Sequence, residues 1–119
     1  MNYWIIGAVV LFFGYKIYGQ NQTLKKMPQI IKEGAVFIDV RSPSEFASAH
    51  HEKTINIPLQ SIGDRINEIP KDKNVVVFCA SGNRSAMAKK LLELKGYKNI
   101  YNLGPWTNVK KAFDLTEKK

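Results

Sequence analysis

The sequence predicts an α/β fold in which helices flank a parallel β-sheet. Segments typical of strands and of helices alternate along most of the chain, as they do when each strand is joined to the next through a helix. Within the predicted strands 35–40 and 74–78, residues 35–38 and 75–78 are continuous apolar runs, which indicates strands buried on both faces of a sheet. A chain of 119 residues is long enough for one compact domain and too short for two.

The first elements are marked by the residues at their ends. Residues 29–33 follow a proline and predict a short helix that closes at Gly34. The apolar run 35–40 is the first predicted strand. Residues 42–45, Ser-Pro-Ser-Glu, form a capping box with proline at the first helical position, so a second helix begins there.

Two prolines and a β-branched run mark the middle of the chain. Residues 54–57 predict a short strand that stops at Pro58, and residues 61–69 a short helix that stops at Pro70. Residues 74–78, Asn-Val-Val-Val-Phe, are the most β-branched strand of the sequence.

The last elements complete the alternation. Residues 85–95 have apolar side chains at helical spacing and end before Gly96. Residues 99–102 predict a final strand and residues 107–114 a final helix.

The chain carries a net charge of +8, from 18 Lys and Arg against 10 Asp and Glu. The lysines are scattered as doublets and form no arginine-rich or aromatic-interleaved stripe, so we predict no nucleic-acid partner. Such a charge favours small anions. The one cysteine, Cys79, excludes an internal disulfide and a multi-cysteine metal site, and we predict no metal or organic cofactor.

The N-terminal residues differ in composition from the rest. Residues 3–18 are almost entirely apolar, with aromatic rings at both ends, and predict an apolar helix that anchors the chain in a membrane. A cleaved signal is the alternative, but no basic residue precedes the run. We therefore expect residues 1–20 to be an anchor or signal-like segment, residues 19–21 a linker, and residues 21–119 the folded domain. Lysines after the run weakly favour the cytoplasmic side, with the periplasmic side open.

The candidate chemistry lies in residues 78–85, Phe-Cys-Ala-Ser-Gly-Asn-Arg-Ser, between the strongest strand and a helix. Ligands of parallel α/β sheets bind at the carboxyl ends of strands, which is where Cys79 falls. A tight loop there turns backbone N–H groups inward, and the helix N-terminus adds positive potential. We therefore expect a lowered thiol pKa, and the same donors would stabilise a persulfide anion.

Three residues of the loop suit this chemistry. Gly82 can adopt a positive φ without steric penalty. Arg84 offers a fixed positive charge to an oxyanion such as thiosulfate. Ser85 can cap the helix and donate a hydrogen bond to the sulfur.

Four segments resemble the successive signatures of single-domain rhodaneses, especially the small phage-shock thiosulfate sulfurtransferases: residues 39–46, 50–58, 79–85 and 96–104. The resemblance extends from about residue 27 to residue 106. It implies a three-layer rhodanese-like fold. One departure is the turn at residues 49–53, where the family often has two glycines that this chain lacks.

The resemblance also implies roles for individual residues. Cys79 would be the nucleophile that accepts sulfur. The residues of the loop around the substrate would be Ala80, Ser81, Gly82, Asn83, Arg84 and Ser85. Supporting roles, for which we favour structure or packing over chemistry, would fall to Asp39, Arg41, Glu45 and His50.

The predicted function is transfer of a sulfane sulfur from a thiosulfate-like anion to a thiol or protein thiolate through a Cys79 persulfide. One alternative is a membrane-tethered rhodanese-like module that binds a partner or relays a persulfide. A second is a cysteine-dependent phosphatase or arsenate reductase. Their loops place arginine six positions after the cysteine, whereas Arg84 is five after Cys79.

Overall fold

The computed structural model describes residues 3–117, apart from the side chains of Phe13 and residues 15–21. Residues 1–2 and 118–119, which the predicted segments 1–20 and 21–119 include, lie outside the described residues. Two short 3-10 turns, Leu59–Ser61 and Ile66–Glu68, precede the third strand. In chain order the helices and strands are α1 (Tyr3–Glu33), β1 (Ala35–Asp39), α2 (Pro43–Ser48), β2 (Ile55–Asn56), β3 (Asn74–Cys79), α3 (Asn83–Leu94), β4 (Ile100–Pro105) and α4 (Asn108–Glu117).

The four strands form one parallel sheet in the order β2-β1-β3-β4. The predicted parallel sheet flanked by helices is therefore confirmed. Because every strand runs the same way, the loops that follow β1, β3 and β4 meet at one edge of the sheet. β3 lies between β1 and β4 and all six of its residues are buried, which its run of valines leads one to expect.

Successive side chains of β3 point to opposite faces of the sheet and into two separate cores. Val75, Val77 and Cys79 pack in the core that contains Ala88 and Leu92 of α3. The intervening residues of β3 join the core formed with the end of α1 and with α4, whose members are Met27, Ile30, Phe37, Val76, Phe78, Leu103, Val109 and Ala112. Cys79 thus faces α3.

Several predicted elements differ from the structure in kind or in extent. Residues 61–69 are not a helix but part of a region with two 3-10 turns, because the segment is short and contains Gly63, a poor helix former. The last strand runs from Ile100 to Pro105 rather than over residues 99–102. Its pairing with β3 shifts register between Val77 and Phe78, so one residue of β4 is bulged.

α1 is one continuous helix, so residues 19–21 are not a linker and residues 29–33 are not a separate helix. Pro28 lies inside α1 without ending it. The part of the helix from Met27 onward packs on the sheet. A domain boundary at residue 21 stays a prediction, and the helix runs across it.

The membrane anchor predicted for residues 3–18 is wrong. Among the residues that the structure describes, no helix is long and apolar enough to cross a membrane. The apolar run is short against the ~20 residues that span a bilayer, and Lys16 interrupts it. The predicted cytoplasmic or periplasmic placement of a tethered domain depended on this anchor and is therefore wrong as well.

Candidate active site

Cys79 is the last residue of β3 and lies at the carboxyl edge of the sheet, fully buried. Residues 80–82 turn the chain into α3, which begins at Asn83. Ala80, Ser81 and Asn83 are exposed, while Gly82 and Ser85 are buried against the sulfur. The structure therefore brings the predicted loop together around one thiol.

Three donors of the loop surround the sulfur of Cys79. The Gly82 N–H points to Sγ with a nitrogen-to-sulfur distance of 2.9 Å. The Ser85 N–H is at 3.4 Å and the Ser85 hydroxyl oxygen at 3.5 Å. Gly82 has φ +97°, and this left-handed conformation, which favours glycine, makes the tight turn before α3 possible.

Burial and these hydrogen bonds have opposite effects on the pKa of Cys79. Burial by itself would raise the pKa of the thiol, since it disfavours the charged form. The hydroxyl of Ser85 and the backbone N–H groups of Ser85, Ser81 and Gly82 stabilise the thiolate and outweigh burial, so the pKa of Cys79 lies below its ordinary value. The arrangement can therefore hold an anionic sulfur nucleophile.

Arg84 is held by Glu45 of α2 instead of pointing freely to the loop. Its two terminal nitrogens donate to the two carboxylate oxygens at 2.6 and 3.0 Å. Both side chains are about one third exposed, at 37% and 36%. The paired guanidinium holds the pKa of Glu45 well below its usual range, and Glu45 in turn raises the pKa of Arg84. The positive charge that we expected Arg84 to offer to an oxyanion is thus already paired with the carboxylate of Glu45.

Asp39 and Arg41 form a buried ion pair at the end of β1. The Arg41 side chain donates to both carboxylate oxygens at 2.8 to 3.0 Å and to the carbonyl of Ala49 at 2.7 Å. Its guanidinium lies 4.7 Å from the ring centre of Trp106. The Trp106 backbone N–H donates to the Cys79 carbonyl oxygen at 2.7 Å. Through Trp106, the Asp39–Arg41 ion pair therefore supports the strand that ends in Cys79.

His50 is exposed at the turn after α2. Its ring stacks on Phe46 at 3.7 Å, and Nδ1 donates to the Phe46 carbonyl oxygen at 2.7 Å. These are packing and hydrogen-bonding contacts, and the supporting role of His50 stays a prediction. No described contact joins His50 to the sulfur.

Sequence reasoning missed Asn102. Its side chain contacts Ser85, Gly82 and Gly104, although it lies on β4 and far from the loop in sequence. A polar residue within a predicted strand was the only signal available.

Among residues 3–117, no group of three or more His, Cys, Asp or Glu side chains is placed to hold a metal ion.

Comparison with known proteins agrees with this geometry. A family model described as a rhodanese-like domain matches residues 22–112. A sulfurtransferase of Allochromatium vinosum is 38% identical over 71 residues, which cover 60% of this chain and 66% of that protein. Thiosulfate sulfurtransferase PspE of Escherichia coli is 40% identical over 70 residues, which cover 57% of this chain and 67% of that protein. The matches thus span about two thirds of these relatives.

A solved structure described as a rhodanese with anions from E. coli has a similar fold. It superposes with a TM-score of 0.59 and 34% identity, over 63% of this chain and 91% of that chain. These comparisons favour neither the partner-binding module nor the phosphatase. Arg84, the arginine compared with that of phosphatase loops, points to Glu45. The chain belongs to the rhodanese family, and the predicted enzyme class, a rhodanese-type sulfurtransferase, is confirmed.

Proposed function

We propose that this protein moves a sulfane sulfur from thiosulfate, or a similar donor, to a thiol acceptor through a persulfide on Cys79. The observation that carries the proposal is the set of hydrogen bonds at Sγ, led by the 2.9 Å contact from the Gly82 N–H. Donors that stabilise a thiolate also stabilise the terminal sulfur of a persulfide, because both are anions.

The first step is attack of the Cys79 thiolate on the outer sulfur of thiosulfate. A sulfur–sulfur bond to Cys79 forms while the bond within thiosulfate breaks, and sulfite leaves with the electron pair. Charge balances, since one thiolate and one dianion become one persulfide anion and one sulfite dianion. No oxidant or reductant is needed.

In the second step an acceptor thiolate attacks the outer sulfur of the persulfide. The Cys79 thiolate leaves and the acceptor becomes a persulfide. Cyanide can serve as the acceptor in the laboratory, with thiocyanate as the product. The enzyme returns to its starting state after the two displacements.

Thiosulfate as the donor is supported by relatives and by charge. PspE is named a thiosulfate sulfurtransferase, and the E. coli rhodanese structure contains anions. The net charge of +8 attracts anions at long range. Close to the sulfur, however, Arg84 and Arg41 are each paired with a carboxylate. We therefore assign the local anion binding to the backbone N–H groups of Ser81, Gly82 and Ser85, which also stabilise the thiolate.

Access to the sulfur requires a local rearrangement. Cys79 is fully buried, whereas Ala80, Ser81 and Asn83 are exposed. The donor reaches the thiolate when this outer part of the loop moves aside. Burial in the resting state limits contact of the thiolate with water and with unselected thiols.

The test is intact-protein mass spectrometry after incubation with thiosulfate, on the wild type and on Cys79→Ser. We expect one added sulfur atom on the wild type, removed by cyanide, and none on the variant. Circular dichroism establishes that the variant is folded. An adduct on Cys79→Ser, or none on a reduced and folded wild type, would contradict the proposal.

A further inference from the structure

The side chain of Asn102 connects strand β4 to the cysteine loop. Its Oδ1 accepts hydrogen bonds from the Ser85 hydroxyl at 2.7 Å and from the Gly104 N–H at 3.0 Å. Its Nδ2 donates to the Gly82 carbonyl at 3.3 Å. One amide thus contacts two of the loop residues whose groups donate to the sulfur of Cys79.

The register of β4 against β3 accounts for this placement, and a bulge follows directly after Asn102. Val77 pairs with Asn102, but the next residue of β3, Phe78, pairs with Gly104, so Leu103 is the extra residue. Val77 belongs to the same core as Cys79, and Asn102 opposite it faces the same side of the sheet.

We propose that Asn102 is a positioning residue for the sulfur chemistry of Cys79. It holds the Ser85 hydroxyl beside the sulfur and holds the Gly82 turn so that its N–H points at Sγ. The role of Asn102 in persulfide transfer rests on the proposed function. Its effect on the free thiol of Cys79 does not depend on that function.

The hydroxyl of Ser85 has one proton and three neighbours. Asn102 Oδ1 is at 2.7 Å, the Gly82 carbonyl oxygen at 3.1 Å and Cys79 Sγ at 3.5 Å. While Cys79 is a thiol, the hydroxyl donates to Asn102, which is the shortest of these contacts. When the sulfur becomes an anion, the proton turns toward it.

Asn102 makes this exchange possible at low cost. After the hydroxyl proton leaves Oδ1, the N–H of Gly104 still donates to the same oxygen. No buried acceptor is left unsatisfied in either state, which avoids the penalty of about 1–3 kcal/mol for an unpaired buried group. Nδ2 keeps its contact with Gly82 throughout.

The experiment measures alkylation of Cys79, the only cysteine, by uncharged iodoacetamide as a function of pH. Loop access scales the rate equally at every pH, so the midpoint reports how well the thiolate is stabilised. For Asn102→Ala we expect the midpoint to rise by about one pH unit, because the Ser85 hydroxyl and the Gly82 N–H are no longer held toward the sulfur and the thiolate loses the equivalent of one hydrogen bond. A residue with a purely space-filling role would leave the midpoint unchanged.

A double-mutant cycle tests whether Asn102 acts through Ser85. The four proteins are the wild type, Asn102→Ala, Ser85→Ala and the double variant. We expect the double variant to shift the midpoint by clearly less than the sum of the single shifts, because both changes disturb the same hydroxyl. Additive shifts, or no shift in Asn102→Ala, would overturn the proposal.

Asn74→Ala is the matched control. Asn74 also lies in the sheet and uses its amide, which donates to the Ile30 carbonyl at 3.2 Å, but at the opposite end of β3 from Cys79. It should lower stability without moving the midpoint. If Asn102→Ala does not fold, Asn102→Ser takes its place in the same cycle. Failure of persulfide formation with intact midpoint shifts would refute the proposed function and leave the role of Asn102 standing.

Discussion

Cys79 combines full burial with a lowered pKa, two properties that normally oppose each other. Burial removes water from the sulfur and disfavours its charged form. The donors of Gly82 and Ser85 replace that water with hydrogen bonds held in fixed directions. At the residue scale, then, the chemistry depends on the orientation of a few hydrogen-bond donors.

The rate of persulfide formation should depend on pH through this thiol. Because the pKa of Cys79 is lowered, the rate rises with pH and has its midpoint below the pKa of about 8.5 of an ordinary cysteine. Ser85→Ala removes one donor to the anion, so its profile should shift to higher pH. Stopped-flow or quenched mass spectrometry over a pH series measures both profiles. A wild-type midpoint at or above the ordinary value contradicts the lowered pKa.

Arg84→Ala should impair thiosulfate more than an uncharged persulfide donor. Without the guanidinium, the Glu45 carboxylate remains near the loop unpaired and repels a dianion. Steady-state assays should give a raised KM for thiosulfate and a smaller change for the neutral donor. Glu45→Gln is the control, since it removes the negative charge and leaves the positive one. Equal losses for both donors would count against an electrostatic role.

Helix α2 presents Glu45 to Arg84, and its N-terminal cap holds Glu45 in place. The Ser42 hydroxyl accepts from the Glu45 N–H at 3.2 Å, and the Glu45 carboxylate accepts from the Ser42 N–H at 3.0 Å. The capping box predicted at residues 42–45 is therefore confirmed. A local motif of the sequence thus supports an ion pair that is not local.

Ser42→Ala should lower the free energy of unfolding by about 1 kcal/mol, as removal of a helix cap commonly does. Urea denaturation followed by circular dichroism measures it. Ser48→Ala serves as the control, because the exposed Ser48 hydroxyl only donates to the Ser44 carbonyl near the end of the same helix. Equal losses of unfolding free energy in the two variants would show that the cap contributes no more to stability than an exposed hydroxyl at the end of the helix.

The molecule as a whole is built on two cores separated by the sheet. The core against α3 contains the sulfur, whereas the core against α1 and α4 contains none of the groups that contact it. Met27 of α1 is fully buried in the second core. Stability and chemistry therefore depend on opposite faces of one sheet.

Met27→Ala should lower the free energy of unfolding by about 2–5 kcal/mol, because it leaves a cavity in a closed core. The pH profile of Cys79 alkylation should stay as in the wild type while the protein is folded. Thermal denaturation and the alkylation series measure the two effects. Lys26→Ala, at an exposed neighbouring position, is the control and should change neither. A shifted alkylation profile in Met27→Ala would mean that the two faces are coupled.

The sequence by itself determined the parallel sheet, the position of Cys79 at the end of its central strand, the glycine turn and the capping box. Each of these follows from side-chain periodicity or from residues within a few positions of one another. Only the tertiary structure decided that Arg84 pairs with Glu45, that Asn102 reaches Ser85, and that α1 continues across residues 19–21. Such contacts depend on sheet register, on one bulged residue and on packing between elements, and no local pattern in the chain records these.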